Sequence, residues 1–202
     1  MLAHYLAEFD GGVYAGVICK GDIHSHNQAM AGLKTRDQAK TFIYGLLYGA
    51  GDAKVGSIVD GTPADGAKLK NEFKRQVPGY ARLLQKLEFE SAKTKSLNGL
   101  DGRPLPVRSA YAALNLLLQS AGAVVMKKAL VIMDARLTAK YPNGYAFMAN
   151  IHDEVQIECS PMIAEDVGAI MVRSIVDAGV MLGLKCPLDG AFKVGKNWSE
   201  TH

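Results

Sequence analysis

Four residues in the segment TRDQAKTFIYGLLYGAGD could do chemistry together: Arg36, Lys40, Tyr44 and Tyr48, spaced four apart. On an α-helix such residues are rotated by about 40° from one another, so the four would form one sloping stripe roughly 18 Å long. An arginine fork and a lysine ammonium can hold phosphate oxygens, the first bidentately and the second as a point charge. The two phenol rings offer flat faces to a sugar or a base. A nucleoside triphosphate fits this order, with phosphates at the Arg36–Lys40 end. Spacing alone equally fits a surface helix whose cations meet water and whose tyrosines pack at a boundary. Gly45 and Gly49 favour the first reading. Each follows a tyrosine and leaves no side chain beside it, and each lowers helix propensity by up to about 1 kcal/mol relative to alanine.

A second group is acidic. Asp153 and Glu154 fall between two β-rich arms in YAFMANIHDEVQIEC, Tyr145 to Cys159, which predicts a tight hairpin with charges at its tip. Carboxylates at a turn are ordinary turn chemistry. They are also hard oxygen ligands for Mg²⁺, which binds through one or two carboxylates plus substrate phosphates. His152 could donate a hydrogen bond there or cap the turn. His24 and His26 form an H-x-H pair, but residues two apart on a helix point about 200° apart, which argues against a shared transition metal.

The elements that must carry these groups are readable from caps and breakers. Short helices joined at Gly11-Gly12 and Gly21-Asp22 fill the first thirty residues. Thr35 is an N-cap for a helix that Gly49 and Gly51 stop, with Phe42, Ile43, Leu46 and Leu47 as its apolar face. Thr62-Pro63 opens another helical region, broken near Pro78-Gly79, whose many lysines and arginines read as a solvated face. LNGLDGRPLPVRS, Leu97 to Ser109, reads as a hairpin or loop. A long helix follows to about Lys140, then the acidic hairpin, a helix from Pro161 to about Leu182, and a final strand-like segment ending at GKNWSETH.

The bulk numbers exclude little. The 202 residues allow one large domain or two small ones, and 49% hydrophobic residues describe a globular chain. A net charge of +3 does not by itself establish a nucleic-acid partner. Cys19, Cys159 and Cys186 are scattered and form no CxxC pair, which suggests reduced thiols in a cytoplasmic compartment. No signal-peptide pattern opens the chain. The most apolar window, Ala112 to Met126, is interrupted by Asn115, Gln119 and Ser120. It is shorter than the ~20 residues that a bilayer crossing needs, so a buried helix and no membrane partner are expected.

RDQAKTFIYGLLYG resembles the fingers-helix motif of family A (polymerase I-like) DNA polymerases, R-x-x-x-K-x-x-x-[FY]-x-x-x-Y-G. IHDEVQIE resembles the palm motif that carries a catalytic aspartate in that family. DIHSHNQ, GLDGRPLPVRS and ALNLLLQSAGAVVMKKAL are similar to further family segments in the family's order, with the nearest likeness to short bacteriophage replicative polymerases.

The resemblance implies an α/β (α+β) class and a partial right-hand polymerase fold. Helical fingers and part of an antiparallel-sheet palm would be present, without a thumb. Residues 1–34 would lead from palm to fingers, 35–109 form the fingers, and 110–202 the C-terminal palm. It implies template-directed DNA synthesis, with primer–template DNA and dNTPs as partners; for a phage protein the setting is the host cytoplasm. Arg36, Lys40 and His24 would meet the phosphates, and Tyr44 the sugar and base. A phenol at Tyr44 is associated in the family with poor discrimination against 3′-deoxy sugars. Tyr48 and Gly49 would meet the template. Asn115 and Gln119 would face the minor groove, where base acceptors look alike across pairs. His152 would sit by the primer terminus, Asp153 would bind catalytic Mg²⁺, and Glu154 would assist. The family uses two ions. Its other aspartate belongs to a D-x-S-x-x-E-L-R motif expected upstream of Met1, so the chain alone is expected to be inactive, with an N-terminal polymerase chain as partner if the gene is split. The alternative is a non-catalytic nucleic-acid-binding module that retains the scaffold.

Overall fold

Glycine and proline punctuation divides the chain much as its composition suggests. The computed structural model describes residues 1–201. Three short helices come first: α1 (Leu2–Asp10), α2 (Val13–Lys20) and α3 (Ile23–Ala31). α4 (Arg36–Leu47) opens with a complete capping box, in which Thr35 Oγ1 accepts from the Gln38 amide and Gln38 reaches back to the Thr35 amide. α5 (Asp52–Gly56) is followed by α6 (Pro63–Gln76), which opens with a second capping box, Thr62 with Asp65, and by α7 (Pro78–Thr94). The short strands β1 (Ser96–Asn98) and β2 (Pro104–Pro106) pair antiparallel. α8 (Ala113–Lys140), the antiparallel hairpin β3 (Tyr145–Ile151) and β4 (Glu154–Cys159), α9 (Ala164–Met181) and the short α10 (Trp198–Thr201) complete the order. The class is the expected one: mostly helix, with small antiparallel sheets.

The chain divides into two compact units, Met1–Gln119 and Ser120–His202. In the first, burial of one face fixes α4. Ala39, Phe42, Ile43 and Leu46 are buried, and the Phe42 ring meets Phe73 of α6 edge-on at 5.5 Å between centroids. Phe73 in turn meets Tyr80 of α7 at 5.4 Å. Tyr14 of α2 and Asn27 of α3 exchange a buried side-chain hydrogen bond of 3.1–3.2 Å. Several cations of the charged helices are paired rather than merely solvated: Lys70 with Asp52, Arg75 with Glu72, and Lys86 with Glu8.

In the second unit, Ala129, Met133 and Leu137 from the later turns of α8 share a core with Val167 and Ala178 of α9. Tyr145, Val155 and Ile157 of the hairpin pack against it. Arg136 donates to Asp177 at 2.6 Å and to Ser174 at 3.3 Å, linking α8 to α9 beside that core.

Two expectations are corrected. The long helix runs to Lys140 as expected, through Asn115, Gln119 and Ser120, but the apolar stretch is not too short: by length and composition Ala110–Lys140 could cross a membrane. Leu114 and Leu117 are nonetheless buried in the first unit, and Ala129, Met133 and Leu137 in the second. The segment after α9 forms no strand among the described residues. It lies on α9 instead. The Phe192 ring occupies the space where a Cβ on Gly168 would stand, 2.2 Å from the nearest ring carbon, and Leu188 sits against Gly179. Contact with a helix gives this segment no neighbouring strand with which to pair.

Candidate nucleotide and metal sites

Because α4 buries Ala39, Phe42, Ile43 and Leu46, its opposite face is left to solvent. Arg36, Lys40, Tyr44 and Tyr48 are all exposed, the two tyrosines by 49% and 62%. The four-residue spacing therefore becomes a ridge. Lys40, Tyr44 and Tyr48 line a groove of about 670 Å³, together with Gly45, Ala50 and Lys54. Lys54, from α5, is a second cation on this groove that the stripe pattern did not include.

Arg36 stands apart from that groove. Its fork grips Asp22, Nε to Oδ2 at 2.7 Å and Nη2 to Oδ1 at 3.2 Å. The same carboxylate caps α3, accepting from the His24 amide at 3.0 Å and the Ser25 hydroxyl at 2.8 Å. The Arg36 guanidinium, aided by the Ser25 hydroxyl, holds the Asp22 carboxyl far below the usual carboxylate range. His24 is half-buried in the first turn of α3, and its Nδ1 is enclosed without a hydrogen-bond partner. Asp22 carries a D-x-x-S capping signature in the sequence, but its partnership with Arg36 spans fourteen positions and has no local signal.

The ridge ends in a Schellman turn. Ala50 N donates to Gly45 O at 2.8 Å and Gly49 N to Leu46 O at 3.1 Å, with Gly49 at φ +74°. A Cβ on Gly49 would lie 2.5 Å from the Tyr111 carbonyl oxygen. Glycine is thus required here by the turn and by the approach of Tyr111. At Gly45 a Cβ would meet Ala50 and Ile58 at ordinary distances of 3.5 and 4.0 Å. The Gln119 side-chain amide donates to the Tyr48 hydroxyl at 3.2 Å. Asn115 lies one turn earlier on α8 and is half-buried.

In the second unit, β3 and β4 pair from Tyr145–Cys159 to Ile151–Glu154, with a bulge between Phe147 and Ala149. That register leaves His152 and Asp153 as the turn, both exposed. His152 has φ +56°, a left-handed conformation that His, Asn and Asp adopt more readily than most side chains. Glu154 is the first strand residue and is half-buried. Its Oε1 accepts from the Trp198 indole N–H at 3.1 Å and, at close range, from Gln156 Nε2. Thr201 donates to Gln156 Oε1 at 3.3 Å, so α10 is fastened to β4 through this pair. The contact joins residues 44 positions apart, which local sequence patterns do not reveal.

Among the described residues no group of three or more His, Cys, Asp and Glu side chains gathers as a metal cage. Asp153 stands at the exposed turn, whereas Glu154, expected beside it at the tip, is the half-buried first residue of β4 with a carboxylate oxygen engaged by Trp198 and Gln156. Mg²⁺, which keeps waters and takes one or two carboxylates with phosphates, could be held there by Asp153.

The family model for DNA polymerase family A matches residues 19–200. The chain is 42% identical to the DNA-directed DNA polymerase of Enterobacteria phage T3 and 40% identical to that of Escherichia phage T7, in both cases over 100% of this chain. It spans 31% of the length of each of these relatives. The solved POL domain of Pol1 from M. smegmatis, in complex with DNA primer-template and dNTP, has a similar fold, with a TM-score of 0.79 at 19% identity. That similarity covers 93% of this chain and 36% of the other. The chain belongs to DNA polymerase family A.

Proposed function

We propose that the chain takes part in template-directed DNA synthesis, binding a deoxynucleoside triphosphate along α4 and a divalent ion at the β3–β4 turn. The observation that carries this reading is the exposed ridge: two cations followed by two phenols on a helix whose other face is buried, beside a groove of nucleotide size. Membership of DNA polymerase family A supports a deoxynucleotide as the ligand of this ridge.

Lys40, with Lys54 near it, neutralises phosphate charge. Arg36 offers the N–H groups that Asp22 leaves open, and His24 offers its remaining ring nitrogen. Tyr44 lies against the sugar and base. Tyr48, oriented by Gln119, gives a stacking face to the template, with Gly49 forming the turn behind it. Asn115 and Gln119 present amides to base acceptors, and primer–template DNA is the partner. Asp153, with Glu154 beside it, would hold Mg²⁺, and His152 would lie near the primer terminus. When bound, the ion would neutralise phosphate charge and make the attacking hydroxyl more acidic. Two-ion chemistry and action in the cytoplasm of a phage host belong to the same reading, as does the subdivision at residues 35 and 110.

The test is a fluorescence titration of the chain with a labelled deoxynucleoside triphosphate. Losing a contact between a charged group and phosphate costs about 1.5–3 kcal/mol. Lys40→Ala should therefore weaken binding about 10- to 100-fold. Unchanged affinity in a folded variant contradicts the assignment.

A further inference from the structure

We propose that Asp22 is a positioning residue for triphosphate binding, acting by presenting the Arg36 guanidinium in a fixed orientation. This rests on the reading above that Arg36 meets the phosphates.

Asp22 is itself held in place. Its two oxygens accept four hydrogen bonds: from the His24 amide, the Ser25 hydroxyl, Arg36 Nε and Arg36 Nη2. A carboxylate has about four lone-pair sites, so this one is saturated. It therefore has little capacity to serve as a ligand and acts as a rigid platform at the N-terminus of α3. On that platform the guanidinium is bound by one edge, Nε and Nη2. The other edge, Nη1 with the second Nη2 hydrogen, keeps the donors that form a bidentate pair with phosphate. Arg36 retains 52% side-chain exposure, so that edge is accessible.

Stability alone is a weak reason for such an arrangement, since exposed ion pairs contribute little. Orientation is a better one. A long, mobile side chain loses rotamer freedom when it binds, and fixing it beforehand removes that cost. Asp22 also brings a negative charge near the phosphates, which on simple Coulomb grounds would oppose binding. The two effects have opposite signs, and the orientation account requires that removing the charge weaken the site.

The experiment compares triphosphate and monophosphate affinities, in Mg²⁺, for wild type, Asp22→Asn, Arg36→Ala and the double variant, with melting curves for each. Asparagine is as good an N-cap as aspartate, so α3 should persist. Arg36→Lys, which keeps a charge but has no fork, is the second probe of the same step. The expected result is a 5- to 20-fold loss of triphosphate affinity in Asp22→Asn, little change for the monophosphate, a similar loss in Arg36→Lys, and no further loss when Asp22→Asn is added to Arg36→Ala. Equal or tighter triphosphate binding in Asp22→Asn, with Arg36→Ala still weak, overturns the positioning role and leaves the triphosphate reading intact. Unchanged binding in Arg36→Ala removes the role of Arg36 and this inference with it.

Discussion

Gln119 donates its side-chain amide to the Tyr48 hydroxyl at 3.2 Å, tying the last exposed phenol of α4 to α8 across 71 positions of sequence. The bond orients a ring that is otherwise 62% exposed. Base–aromatic stacking contributes about 1–3 kcal/mol per base. If Tyr48 stacks on a template base, Tyr48→Ala should weaken binding of primer–template DNA with a single-stranded overhang about 5- to 100-fold. Tyr48→Phe keeps the ring and should stay within about 3-fold of wild type. Fluorescence anisotropy with overhang and blunt duplexes measures the difference, and equal losses on both duplexes would exclude stacking on the overhang.

The two glycines of the ridge should behave oppositely. Gly45→Ala adds a Cβ at ordinary contact distance within a helix, and should stabilise the chain by up to about 1 kcal/mol. Gly49→Ala forces a left-handed residue, costing about 1–2 kcal/mol, and places a Cβ against the Tyr111 carbonyl. Urea unfolding should show a higher midpoint for the first and a clearly lower one for the second. A neutral Gly49→Ala would mean that the Schellman turn is not formed in solution.

Acid should weaken the second unit through Asp177. The Arg136 hydrogen bond, with Arg173 nearby, holds its carboxyl below the usual carboxylate range. A group whose folded value lies below its unfolded value stabilises fully above the unfolded value, about pH 4. That contribution is lost as pH falls through the folded value. Asp177→Asn should therefore lower the urea midpoint at pH 7, and its deficit relative to wild type should shrink as pH drops below about 4. A deficit independent of pH would assign the effect to packing instead of charge.

Much of this was legible in the sequence because the relevant forces are local. Thr35, and Thr62 with Pro63, mark helix starts, and at each the structure forms a capping box. The four-residue stripe became a ridge because Phe42, Ile43 and Leu46 leave α4 one way to sit on its neighbours. What sequence reading missed is nonlocal. Lys54 reaches the groove only because α5 folds beside α4, and Trp198 meets Glu154 across the whole of α9. The C-terminal segment looked like a strand by composition, yet Leu188 and Phe192 found helix glycines to pack on before any sheet edge. At Gly49 the left-handed turn and the Tyr111 carbonyl require glycine, and the approach of Tyr111, distant in sequence, has no local signal.

The central claim is that α4 binds a triphosphate at its cationic end and the nucleoside at its phenolic end. The direct measurement is a ladder of deoxynucleoside mono-, di- and triphosphate affinities for wild type, Lys40→Ala and Tyr44→Ala. The account predicts that Lys40→Ala flattens the ladder, losing about 10- to 100-fold on the triphosphate and little on the monophosphate. Tyr44→Ala should lower all three affinities by a similar factor and preserve the slope. A ladder whose slope is the same in Lys40→Ala as in wild type would contradict the account.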